Sequence, residues 1–221
     1  MRKLISGLHE YQHHVFKAQK ELFAKLSQGQ SPEALFITCS DSRIDPNMLT
    51  QTEPGDLFVL RNAGNIVPPY GAGHGGEAAT IEFAVDKLGV KDIIICGHSL
   101  CGAIKAVFNR EVLADMPMLT AFLAHAESTR RIVLENYHDI DPEGLLNIGS
   151  QENVLVQVEN LRTHPSVAAR LAKGDLNIHA WMYKMETGAV FGYDAGDRQF
   201  LPATEFMNQS GKSSRNKLVG L

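Results

Sequence analysis

The sequence predicts an α/β protein: a mainly parallel central β-sheet flanked by helices, with an N-terminal helical arm and an edge strand or hairpin near the C-terminus. Three observations predict it. Short apolar runs at Ala34–Thr38, Leu57–Leu60 and Asp92–Gly97 have the length and continuity of strands buried on both faces. Helix-forming segments at Gly76–Leu88 and Ala103–Arg110 alternate with those runs, as helices do in parallel sheets. Two further β-type runs, Asn177–Met185 and Ala189–Asp194, are joined through Glu186-Thr187-Gly188, which reads as a terminal hairpin or an edge strand.

The remaining elements follow in chain order. Leu4, Leu8, Tyr11, Val15, Leu22 and Leu26 recur at helical spacing, so residues 2–27 form an amphipathic arm that Gly29-Gln30-Ser31-Pro32 breaks. Residues 117–137 and 151–173 read as helices, the second closed by Gly174 after Lys173. Neither an internal repeat nor a linker divides the chain. Residues 1–221 therefore read as one domain, with an arm over 1–28 and a small, polar tail over 207–221 expected to be mobile.

Composition narrows the function. The chain has 221 residues, 44% hydrophobic and 21% charged, which suits an ordinary core. Its 25 acidic and 21 basic residues are dispersed and give a net charge of −4, so nothing predicts a nucleic-acid footprint. No stretch reaches the length of a signal-peptide core or a membrane span, so a cytoplasmic protein with small-molecule partners is expected. Three cysteines cannot build a disulfide framework, and in a reducing compartment cysteines that do more than pack are metal ligands or reactive thiols.

Two of those cysteines and one histidine fall at the carboxyl ends of predicted strands, the edge where open α/β sheets bind ligands. Cys39 ends the first, and His98 and Cys101 follow the third in Cys96-Gly97-His98-Ser99-Leu100-Cys101-Gly102. Taken singly, each is as well read as a buried packing residue. Together they are two thiolates and an imidazole, three zinc ligands that leave a fourth tetrahedral position open for chemistry.

The segments Cys39-Ser40-Asp41-Ser42-Arg43 and Gly97-His98-Ser99-Leu100-Cys101-Gly102 resemble the two motifs of beta-class carbonic anhydrases, with Arg61-Asn62-Ala63-Gly64-Asn65 matching a third family segment. The likeness spans roughly residues 1–205, and Gly29–Pro32 and Ile66–Tyr70 resemble the plant and bacterial branch. The resemblance implies a zinc lyase (carbonate dehydratase) whose metal is held by Cys39, His98 and Cys101, and whose zinc-activated water converts carbon dioxide to bicarbonate and a proton. It implies an Asp41–Arg43 dyad. Two thiolates cancel the metal charge and weaken its acidifying effect on bound water, so Asp41 serves as a local hydrogen-bond acceptor that Arg43 holds in place. The short reach from Cys39 also lets Asp41 swing onto zinc as a fourth ligand in a closed, inactive state; the open form is expected here. Relatives that close through a bicarbonate site use a tryptophan where this chain has Phe36.

The same resemblance assigns the substrate pocket to Gln30, Phe58, Ala63, Phe83 and the backbone N–H of Gly102. Phe83 departs from the tyrosine usual at its position. It further implies self-association, as a dimer or a dimer of dimers, with the amphipathic arm laid across the partner and the active site near the interface.

Other motifs compete. His9-Glu10-Tyr11-Gln12-His13 spells the HExxH of metalloproteases, with Glu33 as a conceivable third ligand, yet it precedes every strand and reads better as a solvated helix face. Gly71–Gly76 fits GxGxxG, but Pro68-Pro69-Tyr70 stands where a strand would have to deliver the chain. His74 in that loop is a candidate proton shuttle, less favoured than an exposed histidine without a role. Cys96 reads as packing. Two alternative functions stand beside hydration: hydrolysis of a related linear substrate such as carbon disulfide on the same scaffold, and a non-catalytic zinc-binding interaction module.

Overall fold

The computed structural model describes residues 1–72 and 75–203. His74 and the expected tail at 207–221 lie outside the described residues. Among the described residues six strands form one sheet: β1 (Ala34–Cys39), β2 (Leu57–Asn62), β3 (Asp92–His98), β4 (Asn177–Lys184), β5 (Ala189–Asp194) and β6 (Gln199–Pro202), in the order β2-β1-β3-β4-β5-β6. The pairs β1–β2, β1–β3 and β3–β4 are parallel, whereas β5 and β6 return antiparallel. Strand order thus reverses beside β1, between β2 and β3, and such switch points open a crevice at the strands' carboxyl ends.

Alternation along β1 sends its side chains into two cores. Leu35 and Ile37 pack with Ile81, Val85, Ile93, Ile95, Val154 and Leu161, while Phe36 packs with Ile44, Ile94 and Cys96 on the other face. β1 and β3 are buried along nearly their whole length, as their unbroken apolar runs predict. β2 is not: its residues are half-buried or exposed, because it is the edge of the sheet. The expectation of burial on both faces is corrected there. The segment read as an edge or hairpin is a hairpin, β4–β5, but β4 is an interior strand and the unpredicted β6 forms the far edge.

Phe36 is fully buried, edge-on to Trp181 with ring centroids 6.1 Å apart. Its replacement by alanine is expected to cost about 3–5 kcal/mol of stability, read by urea denaturation. A loss below about 1 kcal/mol would show that this face of the sheet is not close-packed.

The arm is bent rather than continuous. Helices α1 (Arg2–Glu10) and α2 (Lys20–Leu26) are separated by a wider turn at Tyr11–Val15, a short piece at Phe16–Ala18 and a break at Gln19. Leu4 and Leu8 on it are 64% and 62% exposed. Helix α3 (Pro46–Thr50) goes beyond the expected elements, although its Asp45 cap followed by Pro46 is a helix-start pattern; α4 (Gly76–Glu82) continues as a wider turn over Phe83–Leu88. Helix α5 (Gly102–Phe108) follows the third strand, and α6 (Pro117–Leu123) and α7 (Glu127–Asn136) take up the predicted 117–137 segment.

The predicted 151–173 helix is two: α8 (Pro142–Arg162) and α9 (Pro165–Lys173), broken by Pro165 and closed by Gly174 at φ +79°. α8 starts early because the Asp141 carboxylate accepts the Gly144 N–H at 2.7 Å, an N-cap that outweighs the two glycines in its first half.

Candidate metal centre

Parallel pairing of β1 with β3, with Thr38 opposite Cys96, brings the carboxyl ends of the two strands side by side. Cys39 and His98 therefore meet, and Cys101 joins them from the residue before α5. All three are buried, and their ligand atoms lie within 4.8 Å of one another. Among the described residues this is the only group of three or more potential metal ligands so placed. The two sulfurs are 3.8 Å apart and both thiols are free.

The imidazole is oriented by the next residue. His98 Nδ1 lies 2.8 Å from the Ser99 carbonyl, which can only accept, so Nδ1 carries the proton and Nε2 is left with its lone pair. That Nε2 is buried and has no hydrogen-bond partner. An orphaned buried acceptor costs about 1–3 kcal/mol, and a cation seated between it and the two sulfurs removes the penalty. The donor set fits a metal ion.

Electrostatics of the thiols agree with that fit. The Cys101 S–H and the N–H groups of Gly64 (3.3 Å) and Asp41 (3.4 Å) pull Cys39 down to about 4 against the opposing effect of burial. Hydrogen bonding to Cys39, burial and the charge on Cys39 push Cys101 up. The two thiols are therefore coupled: the Cys101 S–H favours the ionised form of Cys39. Cys96 is different: burial raises it to about 12, the state of an inert packing thiol.

Asp41 and Arg43 form a bidentate pair. Oδ1 accepts from the Arg43 N–H at 3.0 Å and from Nε at 2.9 Å, and Oδ2 accepts from Nη2 at 2.7 Å. These bonds hold the Asp41 carboxyl well below the usual carboxylate range. Oδ2 also stands 4.0 Å from His98 Nε2, at the edge of the metal cluster. Arg43 Nη2 reaches the Leu100 carbonyl at 3.1 Å. Leu100 turns that carbonyl outward by adopting φ +56°, a left-handed conformation that costs a side-chain-bearing residue about 1–2 kcal/mol.

A surrounding layer of polar bonds fixes the loops. Arg61 donates to the carbonyls of Cys39 (3.0 Å), Asp41 (2.7 Å) and Ile44 (2.9 Å), stapling the 39–44 turn. Buried Asn153 on α8 donates to the Gly64 carbonyl at 3.0 Å, and Gln157 accepts from the Val67 N–H at 2.8 Å. Of these, sequence marked only Arg61, as part of a motif. Asn153 and Gln157 stand 89 and 90 positions from their partners and left no local signal.

The proposed substrate residues divide into two groups. Ala63 and Gly102 adjoin Gly64 and Cys101 at the metal end. Gln30, Phe58 and Phe83 do not. Phe58 pairs with Leu35, four positions before the Cys39–Asn62 pair, so it lies about 13 Å back along the strand. Phe83 packs on Phe58 with centroids 5.9 Å apart. Gln30 lies before Glu33, whose N–H donates to Asp56 just ahead of β2, at that same amino end. Within one chain the length of the strands separates these two groups.

The competing motifs build nothing comparable. His9 and His13 stack with centroids 6.3 Å apart on an exposed face, and Glu10 pairs with His14 instead, at 2.9 Å. The GxGxxG segment follows β2 only after an eight-residue irregular stretch, Ala63–Tyr70, so no strand delivers it.

Comparison with known proteins agrees with this geometry. The sequence profile of the family described as carbonic anhydrase matches residues 34–190. The chain is 46% identical to a carbonic anhydrase of Synechocystis sp. over 94% of its own length and 76% of that protein's. It is 45% identical to a carbonic anhydrase of Pseudomonas aeruginosa over 93% of both. Among solved structures, the beta-carbonic anhydrase CcaA superposes with a TM-score of 0.90 at 47% identity, covering 91% of each chain. A tetrameric beta-carbonic anhydrase of Sordaria macrospora superposes at 0.76 with 30% identity, covering 86% of this chain and 95% of that one. A buried thiol–imidazole–thiol cluster at the switch point of such a sheet, matched at this identity over nearly the whole chain, makes the protein a member of the beta-class carbonic anhydrases, the lyases that reversibly hydrate carbon dioxide to bicarbonate and a proton.

Proposed function

We propose that this chain hydrates carbon dioxide at a zinc ion held by Cys39, His98 and Cys101, with Asp41 and Arg43 managing the proton on the nucleophilic water. The observation that carries the reading is the buried, unpartnered Nε2 of His98 beside two sulfurs. Two sulfurs bound to one tetrahedral zinc at about 2.3 Å stand about 3.8 Å apart, and the separation here is 3.8 Å. When bound, zinc supplies Lewis acidity that makes water a nucleophile near neutral pH.

The protein's own groups supply the rest. N–H donors from Gly64 and Asp41 spread the charge on the Cys39 sulfur and so leave more positive charge at the metal. Asp41, ionised and pinned by Arg43, offers a fixed acceptor for the water proton; this pairing supports the open arrangement rather than one with Asp41 on the metal. A set of three protein ligands favours this reading over a closed, four-ligand zinc module.

Gln30, Phe58 and Phe83 lie towards the amino ends of the strands, away from the Cys39–His98–Cys101 cluster of their own chain. We assign them to the partner's pocket in a dimer or a dimer of dimers, an assembly consistent with the exposed apolar residues of the arm. The continuous sheet supports a single domain, and three free cysteines favour a reducing, cytoplasmic setting. No helix among the described residues is long and apolar enough to cross a membrane.

The test is stopped-flow hydration with zinc content measured on the same sample. Removal of metal by a chelator is expected to abolish activity, and one equivalent of zinc to restore it. Folded, metal-free protein with undiminished activity, or stoichiometric zinc without activity, would overturn the reading.

A further inference from the structure

Between the ligands His98 and Cys101 the chain passes through only Ser99 and Leu100, so whatever fixes those two residues fixes the spread of imidazole and thiolate. Leu100 occupies the left-handed region, and the residue is 43% exposed, so packing does little to hold it there. Ser99 carries the restraint. Its N–H donates to the Tyr183 carbonyl at 2.9 Å, its hydroxyl accepts from the Met185 N–H at 2.9 Å, and its carbonyl accepts from His98 Nδ1 at 2.8 Å. The hydroxyl proton goes to Glu186 Oε2 at 2.6 Å. Glu186 is the only one of these partners outside the metal loop that acts through its side chain, and it does so from the exposed turn between β4 and β5.

We propose that Glu186 is a positioning residue for the metal: by anchoring the Ser99 hydroxyl, it holds the left-handed His98–Cys101 loop in the shape that presents His98 Nε2 to the ion. The inference rests on the zinc reading above. The bond is short and charge-assisted, and it keeps the Glu186 carboxyl below its ordinary value, so the acceptor is ionised at neutral pH. With its proton committed to Glu186, the Ser99 oxygen turns a lone pair to Met185. Without that anchor the hydroxyl rotates, the Ser99 and Leu100 peptides relax, and the His98 ring loses its fixed acceptor. The Arg43 contact to the Leu100 carbonyl shifts with them, which couples the anchor to the Asp41 pair.

Zinc-loaded full-length protein provides the test, with transfer of zinc to a chromophoric chelator and the visible spectrum of the cobalt-substituted form as readouts. Outer-shell partners of metal ligands typically contribute about 10- to 100-fold, and Glu186 acts one bond further out, so Glu186→Ala is expected to release zinc about tenfold faster and to shift the cobalt bands. Glu186→Gln retains an oxygen acceptor and should stay within about twofold of the parent. Glycine adopts the left-handed turn without strain, so in a Leu100→Gly background the alanine substitution should add less than about twofold. Release at the parental rate with unchanged cobalt bands, equal loss in Glu186→Gln, or an undiminished effect beside Leu100→Gly would each overturn the proposal. Parental protein that binds no zinc would instead overturn the reading on which it rests.

Discussion

Replacement of Cys101 by alanine is expected to lower bound zinc to less than about a tenth of an equivalent per chain and hydration by at least about a thousandfold. Two losses combine. The metal loses one of three protein ligands, and Cys39 loses the S–H that contributes most to its depressed pKa, so it rises towards an ordinary thiol value of about 8.5. At neutral pH the remaining thiol is then protonated and must give up that proton to bind metal. The sign follows: residual zinc binding in the variant should increase as pH rises through the ordinary thiol range. In the parent the thiol that is pushed up is Cys101 instead, while Cys39 is pulled down. Metal analysis and stopped-flow hydration between pH 6.5 and 9.5 would check both parts. Full zinc occupancy in the alanine variant would remove Cys101 from the ligand set.

The second large effect is expected from Asp41→Asn, which should leave zinc near one equivalent while kcat/KM falls by about 10²- to 10⁴-fold. The amide has nearly the same shape but puts a donor where the carboxylate offers only acceptors, and it cannot take both Arg43 donors together with a water proton. Because Arg43 depresses the Asp41 pKa, the carboxylate's contribution is present above the ordinary carboxylate range and is lost only as pH falls through its lower native value. Asp41 therefore stays ionised from pH 6 to 9, and the loss in the variant should be uniform across that interval. Activity within about threefold of the parent would reduce the dyad to a loop ion pair.

The legible parts of this molecule are those whose causes are local. Burial on both faces leaves a run such as Phe36-Ile37 or Ile93-Ile94-Ile95 no polar alternation, so β1 and β3 announced themselves. Cys39, His98 and Cys101 each sit within three residues of a strand end, which made the cluster readable from spacing and residue type together. Gly174 likewise marked its helix end, because a left-handed cap favours glycine. The HExxH segment shows the converse: its spacing is local too, yet Glu10 turned to His14, and spacing alone made no site.

Where a side chain's role depends on partners distant in sequence, reading failed. The β2 run looks like an interior strand because apolar composition does not reveal which strand lies at the edge; only the sheet order does. β6 is four residues long and carries little pattern. Glu186 reads as an ordinary turn residue until the sheet places it against Ser99, 87 positions away.

By itself, then, the sequence determined the strand–helix alternation, the Cys39–His98–Cys101 cluster and the Asp41–Arg43 pair, since backbone stiffness and short spacing confine residues so near one another to a few arrangements. The tertiary structure decided which strand is an edge, that Phe58 and Phe83 stand well back along the sheet from the Cys39–His98–Cys101 cluster of their own chain, and which distant side chains brace the 98–101 loop. Those outcomes depend on chain closure over tens of residues, where many sequences give the same local pattern and only the packed sheet selects the partner.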